Sequence, residues 1–224
     1  MTSLTYKLRR SKRKTLVLKI EQGEVVVYAP LKFSADKINE FVISKSNWIN
    51  GKLKKFENTK GIVEAVNNLE KLLLLDNAHD IELSETERKI RFADGKLLVP
   101  KKYFDIQKRK NAIIKWLKTH ALEMLRERID YFSQFYEIKF GELSLTNAQK
   151  KWGSCDFRKN IKLNFRLILL PQDVIDYVIL HELCHTYYLD HSSNFWNCLE
   201  KYCQSPKSMR LKLKQYSHLI GTYR

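Results

Sequence analysis

Three histidines and one glutamate constrain the local fold more than any other feature of this chain. His181 and His185 are four residues apart, Glu182 directly follows the first, and His191 comes six residues after the second. Residues four apart lie on the same face of an α-helix, so both rings can reach one metal ion with the glutamate beside them. A straight helix would carry His191 away from that ion. The spacing therefore predicts a helix, then a turn that returns His191 as a third ligand.

The residues between the second and third histidines favour such a turn. The segment 189–194 is rich in Asp, Ser and Asn, which are poor helix formers. Ser192 or Ser193 can cap a second helix that begins near Phe195. The metzincin pattern has the same histidine spacing, but it has a glycine where this chain has Tyr188. A left-handed turn is unfavourable at a tyrosine, so the sequence predicts that the protein is not a metzincin.

Three imidazoles beside a carboxylate predict a catalytic zinc site. Three nitrogen ligands leave one open position on a tetrahedral Zn²⁺, as catalytic sites require. Glu182 is then placed to carry a proton during hydrolysis of an amide bond. The predicted zinc ligands are His181, His185 and His191, and the predicted catalytic residue is Glu182.

Other residues near the motif are candidates for substrate contacts. A second donor to the developing oxyanion could be Tyr187, Tyr188 or Arg166, and each has an alternative role in packing or in an ion pair. Trp152 and Asn164 are expected on strands beside the metal-binding helix. Such a strand can hold an extended substrate by β-addition. The alternative is that Trp152 lies in the core and Asn164 pins a turn.

Composition predicts a folded protein in a reducing compartment. The chain has 224 residues, of which 44% are hydrophobic, and no stretch approaches the roughly 18 apolar residues of a membrane span. The basic N-terminus has no apolar segment after it, so we expect no secretion signal and no membrane partner. The four cysteines lack the spacing of a disulfide framework, which predicts a cytoplasmic location. Cys184 is expected to be a small buried hydrophobe.

Hydrophobic periodicity predicts an α+β fold. Two alternating runs flank Gln22-Gly23 as a hairpin, a helical pattern begins after Ser34, and short strands continue up to Pro100. A long helix is predicted over 106–135, followed by two strands and by a buried helix after Pro171. Two regions are expected: a β-rich region with one helix at 1–100 and a second domain at 101–224 with a long helix, a small antiparallel sheet and the metal-binding helix.

Several blocks together resemble a known family. They are Lys151-Trp152-Gly153-Ser154-Cys155, Leu163-Asn164-Phe165-Arg166-Leu167, the histidine motif, and His191-Ser192 with Phe195-Trp196. The chain resembles the YgjP-like metal-dependent hydrolases, which are related to the SprT-like metalloproteases, and both groups are zincin-like. The resemblance covers nearly the whole chain and departs at Lys151, where an arginine is common. It implies a zincin-like domain at 101–224, zinc on the three histidines, and Glu182 as the catalytic carboxylate.

Three function classes follow, with a zinc metallopeptidase acting on peptides or proteins as the leading one. The second is a DNA-associated SprT-like protease or a nucleic-acid-binding protein. The third is a non-catalytic zinc domain, against which the retention of Glu182 argues, because a structural site has no use for a base.

Basic residues at both ends favour an acidic partner. The net charge is +16, and a solvated basic surface is the alternative reading of that excess. The residues concerned are Lys7, Arg9, Arg10, Lys12, Arg13 and Lys14 at one end, and Lys201, Lys207, Arg210, Lys212, Lys214 and Arg224 at the other.

If these ends bind nucleic acid, the purified protein should bind DNA or RNA of any sequence at low salt. Affinity should fall steeply with salt, because each phosphate contact releases counterions. Fluorescence anisotropy with labelled oligonucleotides over a salt series measures this dependence. Absence of binding at low salt would contradict the expectation.

Overall fold

The chain divides into two compact units by its internal contacts. The computed structural model describes residues 5–21 and 24–223, with the side chains of 55–60 and 63 left aside, and the predicted Gln22-Gly23 turn lies outside the described residues. The units are Met1–Glu64 and Ala65–Arg224. The boundary therefore differs from the one predicted at Pro100. The reason is that the strands before Pro100 join the second unit, where the Leu75 N–H donates to the Ile168 carbonyl at 2.8 Å.

The first unit combines a three-stranded sheet with helices. Strands β1 (Lys7–Ser11), β2 (Val17–Glu21) and β3 (Glu24–Pro30) lie in the order β1-β3-β2. β2 and β3 are antiparallel, as expected for a hairpin, while β1 is parallel to β3. Helix α1 (Ala35–Ser44) is followed by α2 (Ser46–Asn67), so the predicted single helix is interrupted. The buried core of the first unit consists of Val25, Val27, Ala29, Ile38, Val42 and Ile49.

The second unit begins with a four-stranded sheet. Its strands are β4 (Lys71–Leu74), β5 (Asn77–Ser84), β6 (Arg91–Ala93) and β7 (Lys96–Pro100), in the order β4-β5-β7-β6. Asp94 and Gly95 connect β6 and β7 with φ angles of 50° and 72°. Two successive positive φ values are typical of a tight hairpin turn, which accounts for the Asp-Gly pair.

A 30-residue helix, α3 (Ile106–Phe135), follows and matches the range predicted from periodicity. The Asp105 side chain caps it by accepting the Lys108 N–H. Its buried face carries residues that lie three or four apart along the helix. The face consists of Ile113, Leu117, Ala121, Leu125, Ile129 and Phe132.

A small three-stranded sheet lies beside α3 and contains both a parallel and an antiparallel pair of strands. β8 (Leu143–Thr146), β10 (Ile161–Asn164) and β9 (Gly153–Cys155) lie in that order, with β10 parallel to β8 and antiparallel to β9. The sheet was predicted to be antiparallel, and the long connection after β8 is what permits the parallel pair. β10 ends at Asn164 because its side chain accepts the Arg166 N–H and begins a 3₁₀ helix at Phe165–Leu169.

Three helices complete the second unit: α4 (Gln172–Cys184), α5 (Ser193–Tyr202) and α6 (Pro206–Gln215), before a 3₁₀ helix at Ser217–Gly221. α4 is buried on most of its circumference and packs on α3, β9, α5 and α6. Arg128 on α3 holds the start of α4 through two hydrogen bonds of 2.6 Å to the Asp176 carboxylate. The α+β class is confirmed. Within the described residues, no helix has both the length and the apolar character needed to cross a membrane.

Arg166 fastens the C-terminal segment to the second unit. Its guanidinium donates to the carbonyls of Thr222 at 2.5 Å and Tyr223 at 3.1 Å, and to the Asn147 side chain at 2.6 Å. The side chain is fully buried. Buried polar groups that lose such a partner retain their full desolvation cost, so this contact contributes to the stability of the unit.

We expect Arg166→Ala to lower the free energy of unfolding by about 2–4 kcal/mol, because two buried carbonyls and an amide oxygen lose their donor. Arg88→Ala is the matched control, since Arg88 is exposed and should change stability by less than about 0.5 kcal/mol. Urea denaturation followed by circular dichroism measures both. Equal midpoints for the two variants would contradict the role of Arg166.

Candidate metal centre

The last turn of α4 carries the first two histidines and the glutamate. α4 ends at Cys184 and His185 is its C-cap residue. The side chains of His181 and His185 therefore lie one turn apart on the same side, as the sequence predicted. Glu182 points to another side of the helix, where β9 packs.

The segment between α4 and α5 turns the chain and returns His191 to the other two histidines. The Asp190 carboxylate accepts the Ser192 N–H at 3.1 Å, which closes a local turn around His191. α5 then begins at Ser193 with Ser192 as its N-cap residue. Tyr188 keeps a negative φ, in agreement with the predicted difference from the metzincin turn.

The three imidazoles converge through their ring nitrogens. His181 Nε2 lies 3.2 Å from His185 Nε2 and 3.1 Å from His191 Nε2. One nitrogen from each ring lies within 4.8 Å of the other two. Such a cluster brings several acceptor lone pairs towards one point, which is how a metal ion is bound.

Phe195 supports all three rings from one side. It stacks on His185 with ring centroids 4.4 Å apart, and it meets His181 and His191 edge to face at 4.8 Å. The phenylalanine is fully buried. Its packing fixes the orientation of the imidazoles, so the first turn of α5 helps to position the metal site.

Burial keeps His181 and His185 neutral. It lowers the pKa of His181 to about 3, with further contributions from His185, His191 and Arg210. Burial also lowers the pKa of His185. His185 Nδ1 lies 2.8 Å from the Tyr188 carbonyl, and in the neutral ring it must donate there. That assignment leaves Nε2 as an acceptor facing the cluster, the form in which histidine binds metals.

Glu182 is a buried carboxylate with an oxygen that has no partner. It is 5% exposed, and within the described residues Oε2 has no hydrogen bond. Burial raises the pKa of Glu182 to about 8, and Lys151 opposes this rise. Gly153 in β9 makes room for the carboxylate, because a Cβ there would lie 2.5 Å from Glu182 Oε1.

This donor set fits a bound cation. Three imidazole rings and a desolvated carboxylate bring several possible electron-pair donors together. A positive charge among them would stabilise the ionised carboxylate and use the converging lone pairs. His181, His185 and His191 are therefore the residues that could hold a metal ion.

The cluster opens into a cavity of about 490 Å³. Trp152 from the start of β9 and Trp196 from α5 give it aromatic walls. Trp152 thus lines the cavity rather than the core. Asn164 pins a turn instead, since it donates to the carbonyls of Ala148 at 2.8 Å and Lys151 at 3.0 Å.

The three residues considered as oxyanion donors lie elsewhere. Arg166 is fully buried against the C-terminal segment, as described above. Tyr187 and Tyr188 line a separate pocket of about 260 Å³ beside Lys201 and Tyr202. The two tyrosines are close to the histidines along the chain, but α4 ends at Cys184 and both tyrosine side chains are exposed.

The cavity also contains residues that were not predicted from the sequence to lie at the metal site, among them Lys151, Gly153, Tyr177 and Arg210. Tyr177 precedes His181 by four residues, which is the one sequence signal that could have placed it on the same helix face. Burial raises the pKa of its hydroxyl to about 12, so it remains a donor at neutral pH. Arg210 reaches the cavity from α6, a helix that the sequence analysis did not predict.

The chain belongs to the YgjP-like family, whose metallopeptidase domain matches residues 14–216. The resemblance seen in the sequence is thereby confirmed. Membership in this family and the histidine cluster together indicate a metal-dependent hydrolase. Comparisons with curated proteins and with solved structures found no match.

We expect Gly153→Ala to displace the Glu182 carboxylate, because the new methyl group cannot share its space. Overpacking of this kind costs about 1–3 kcal/mol of unfolding free energy, while the three histidines remain able to bind metal. Gly51→Ala is the control, since a Cβ at this helical glycine meets nothing within 4 Å. Unfolding midpoints and metal content measure both effects. Wild-type stability in Gly153→Ala would contradict the close contact.

Proposed function

We propose that this chain is a zinc-dependent metallopeptidase that hydrolyses amide bonds in peptides or proteins. The observation that carries the proposal is the convergence of His181, His185 and His191 beside the buried carboxylate of Glu182. A cytoplasmic location is part of the proposal, because the four cysteines are free and suit a reducing compartment.

The spacing of the imidazole nitrogens supports zinc as the metal. Zinc binds imidazole nitrogen at about 2.0–2.1 Å, so two ligands of a tetrahedral site lie about 3.3 Å apart. The two distances from His181 Nε2, 3.2 Å and 3.1 Å, are close to this value. When bound, the ion would supply Lewis acidity towards water and the substrate carbonyl. With three histidines as ligands, a tetrahedral ion would keep one coordination position that no histidine fills.

Glu182 is the group that moves protons. Glu182 lines the cavity and its Oε2 has no partner among the described residues, so the carboxylate can accept a proton from the attacking water and donate it to the leaving nitrogen. Gly153 lies against the carboxylate, where a Cβ would come within 2.5 Å of Oε1. Tyr177 adds a neutral hydroxyl donor to the same cavity.

The free edge of β9 supplies a binding surface for an extended peptide. In the described sheet β9 is an edge strand. The Asn164 N–H donates to the Trp152 carbonyl and the Asp156 N–H to the Asn160 carbonyl. By the alternation of an antiparallel ladder, Gly153 and Cys155 direct their N–H and C=O groups to the open edge. A substrate strand paired there would pass beside Glu182.

Two alternatives make different demands on the site. A structural zinc site normally closes the fourth position with protein and has no reason to bury a carboxylate without a partner, whereas Glu182 is buried in this way. Action near nucleic acid, as a SprT-like protease, rests on the basic ends. There Lys7 pairs with Glu24 at 2.6 Å and Lys212 with Asp173, which reduces the charge available to phosphates.

Separate variants of the ligands and the base test the proposal. We expect Glu182→Gln to retain zinc and to lose hydrolysis by about 10²–10⁴-fold, because the amide keeps the shape but cannot accept the proton. His185→Ala should lose zinc and activity together. Metal analysis of the purified proteins and cleavage of unfolded protein substrates, with and without added zinc, measure both properties.

Two results would contradict the proposal. One is equal zinc content in the wild-type protein and in each single histidine variant. The other is a Glu182→Gln protein that holds zinc and cleaves at the wild-type rate, which would require a different base.

A further inference from the structure

Two cations line the cavity at the metal centre without a carboxylate partner. Lys151 directly precedes β9, and Arg210 lies on α6. Both side chains are exposed, and among the described residues no acidic group forms an ion pair with either. Lys212, on the same helix as Arg210, differs because it pairs with Asp173. Of the residues that line the cavity, Glu182 alone is acidic.

Both cations lie on the wall of the same cavity as His181 and Glu182. The lining residues include these two basic side chains and one acidic side chain, Glu182, so the wall of the cavity carries a net positive charge.

Trp196 orients the arginine. The Arg210 guanidinium carbon lies 5.8 Å from the centre of the indole ring. A cation over an aromatic face is held there by the ring, and its N–H groups stay free for a planar acceptor. A carboxylate matches that acceptor geometry, since guanidinium binds it through two parallel hydrogen bonds.

We propose that Arg210, assisted by Lys151, binds a carboxylate of the substrate, so that the enzyme selects peptides with an acidic group close to the cleaved bond. This proposal rests on the proposed peptidase function and names its substrate class. The carboxylate has two sources in a peptide: an Asp or Glu side chain, or the free C-terminus. Either carboxylate would give Arg210 and Lys151 the acidic partner that neither has among the described residues.

Four peptides of one sequence distinguish the sources. They carry Glu or Gln next to a candidate cleavage site, each with a free or an amidated C-terminus. Calorimetry with zinc-loaded Glu182→Gln protein measures binding without turnover, and the wild-type protein reports cleavage. We expect the peptides with the relevant carboxylate to bind about tenfold or more tightly than the fully neutral peptide, with a preference that weakens in salt.

Substitutions of Arg210 then test the assignment, each made in the Glu182→Gln background. Arg210→Ala should abolish the preference, Arg210→Lys should retain part of it, and Arg210→Glu should favour a peptide with Lys at the same position. Lys207→Ala is the matched control: it removes one positive charge from an exposed residue of α6 that does not line the cavity, and the preference should remain.

The outcomes separate this proposal from the proposed function. Cleavage of all four peptides at equal rates would overturn the carboxylate site and support the peptidase. Preferential binding of acidic peptides that Arg210→Ala removes, without cleavage of any of them, would support the carboxylate site and contradict the peptidase. Equal or undetectable binding of the four peptides would overturn the carboxylate site. A preference that survives Arg210→Glu would also overturn it.

Discussion

Burial of α4 on several sides is the constraint on which the rest of the site depends. α3, β9, α5 and α6 all pack on this helix, and the Arg128 to Asp176 contact fixes its first turn. Because the last turn is enclosed, His181 loses solvent and stays neutral, and Glu182 loses the water that would hydrogen bond its free oxygen. Desolvation thus leaves His181 neutral and able to bind a metal ion, and it leaves Glu182 with an oxygen that accepts no hydrogen bond from the described residues.

The features that could be predicted from the sequence depend on neighbours along the chain. The periodicity of α3 gave its bounds, and the four-residue spacing placed His181 and His185 on one face. Arg166 shows where such reasoning ends. Its partners are the carbonyls of Thr222 and Tyr223, more than fifty residues away, and no local pattern connects them. The position of Arg210 at the cavity was not predicted for the same reason, because it depends on the tertiary packing of α6.

Gly153 is a residue of β9 that lies directly against the Glu182 side chain. The close approach of β9 to Glu182 requires a residue without a Cβ, and the same strand leaves the backbone groups of Gly153 at an open edge. A peptide bound to that edge would therefore be held by the element that also positions the base. In the proposed function, one strand would therefore both bind the substrate and position the base, which would hold the reacting groups in a fixed relative orientation.

The energetic cost of this arrangement argues for catalysis over a structural role. Burial raises the pKa of Glu182 to about 8, so keeping this carboxyl ionised at neutral pH costs free energy, and a buried oxygen without a partner costs about 1–3 kcal/mol in addition. A purely structural centre gains nothing from Glu182, and an apolar residue packed beside Gly153 would avoid that cost. The second unit offsets it elsewhere, through contacts such as the Arg166 clamp and the enclosed apolar face of α3. In the proposed function this cost has a use, because the carboxylate beside the three converging imidazoles is the group that takes a proton from water.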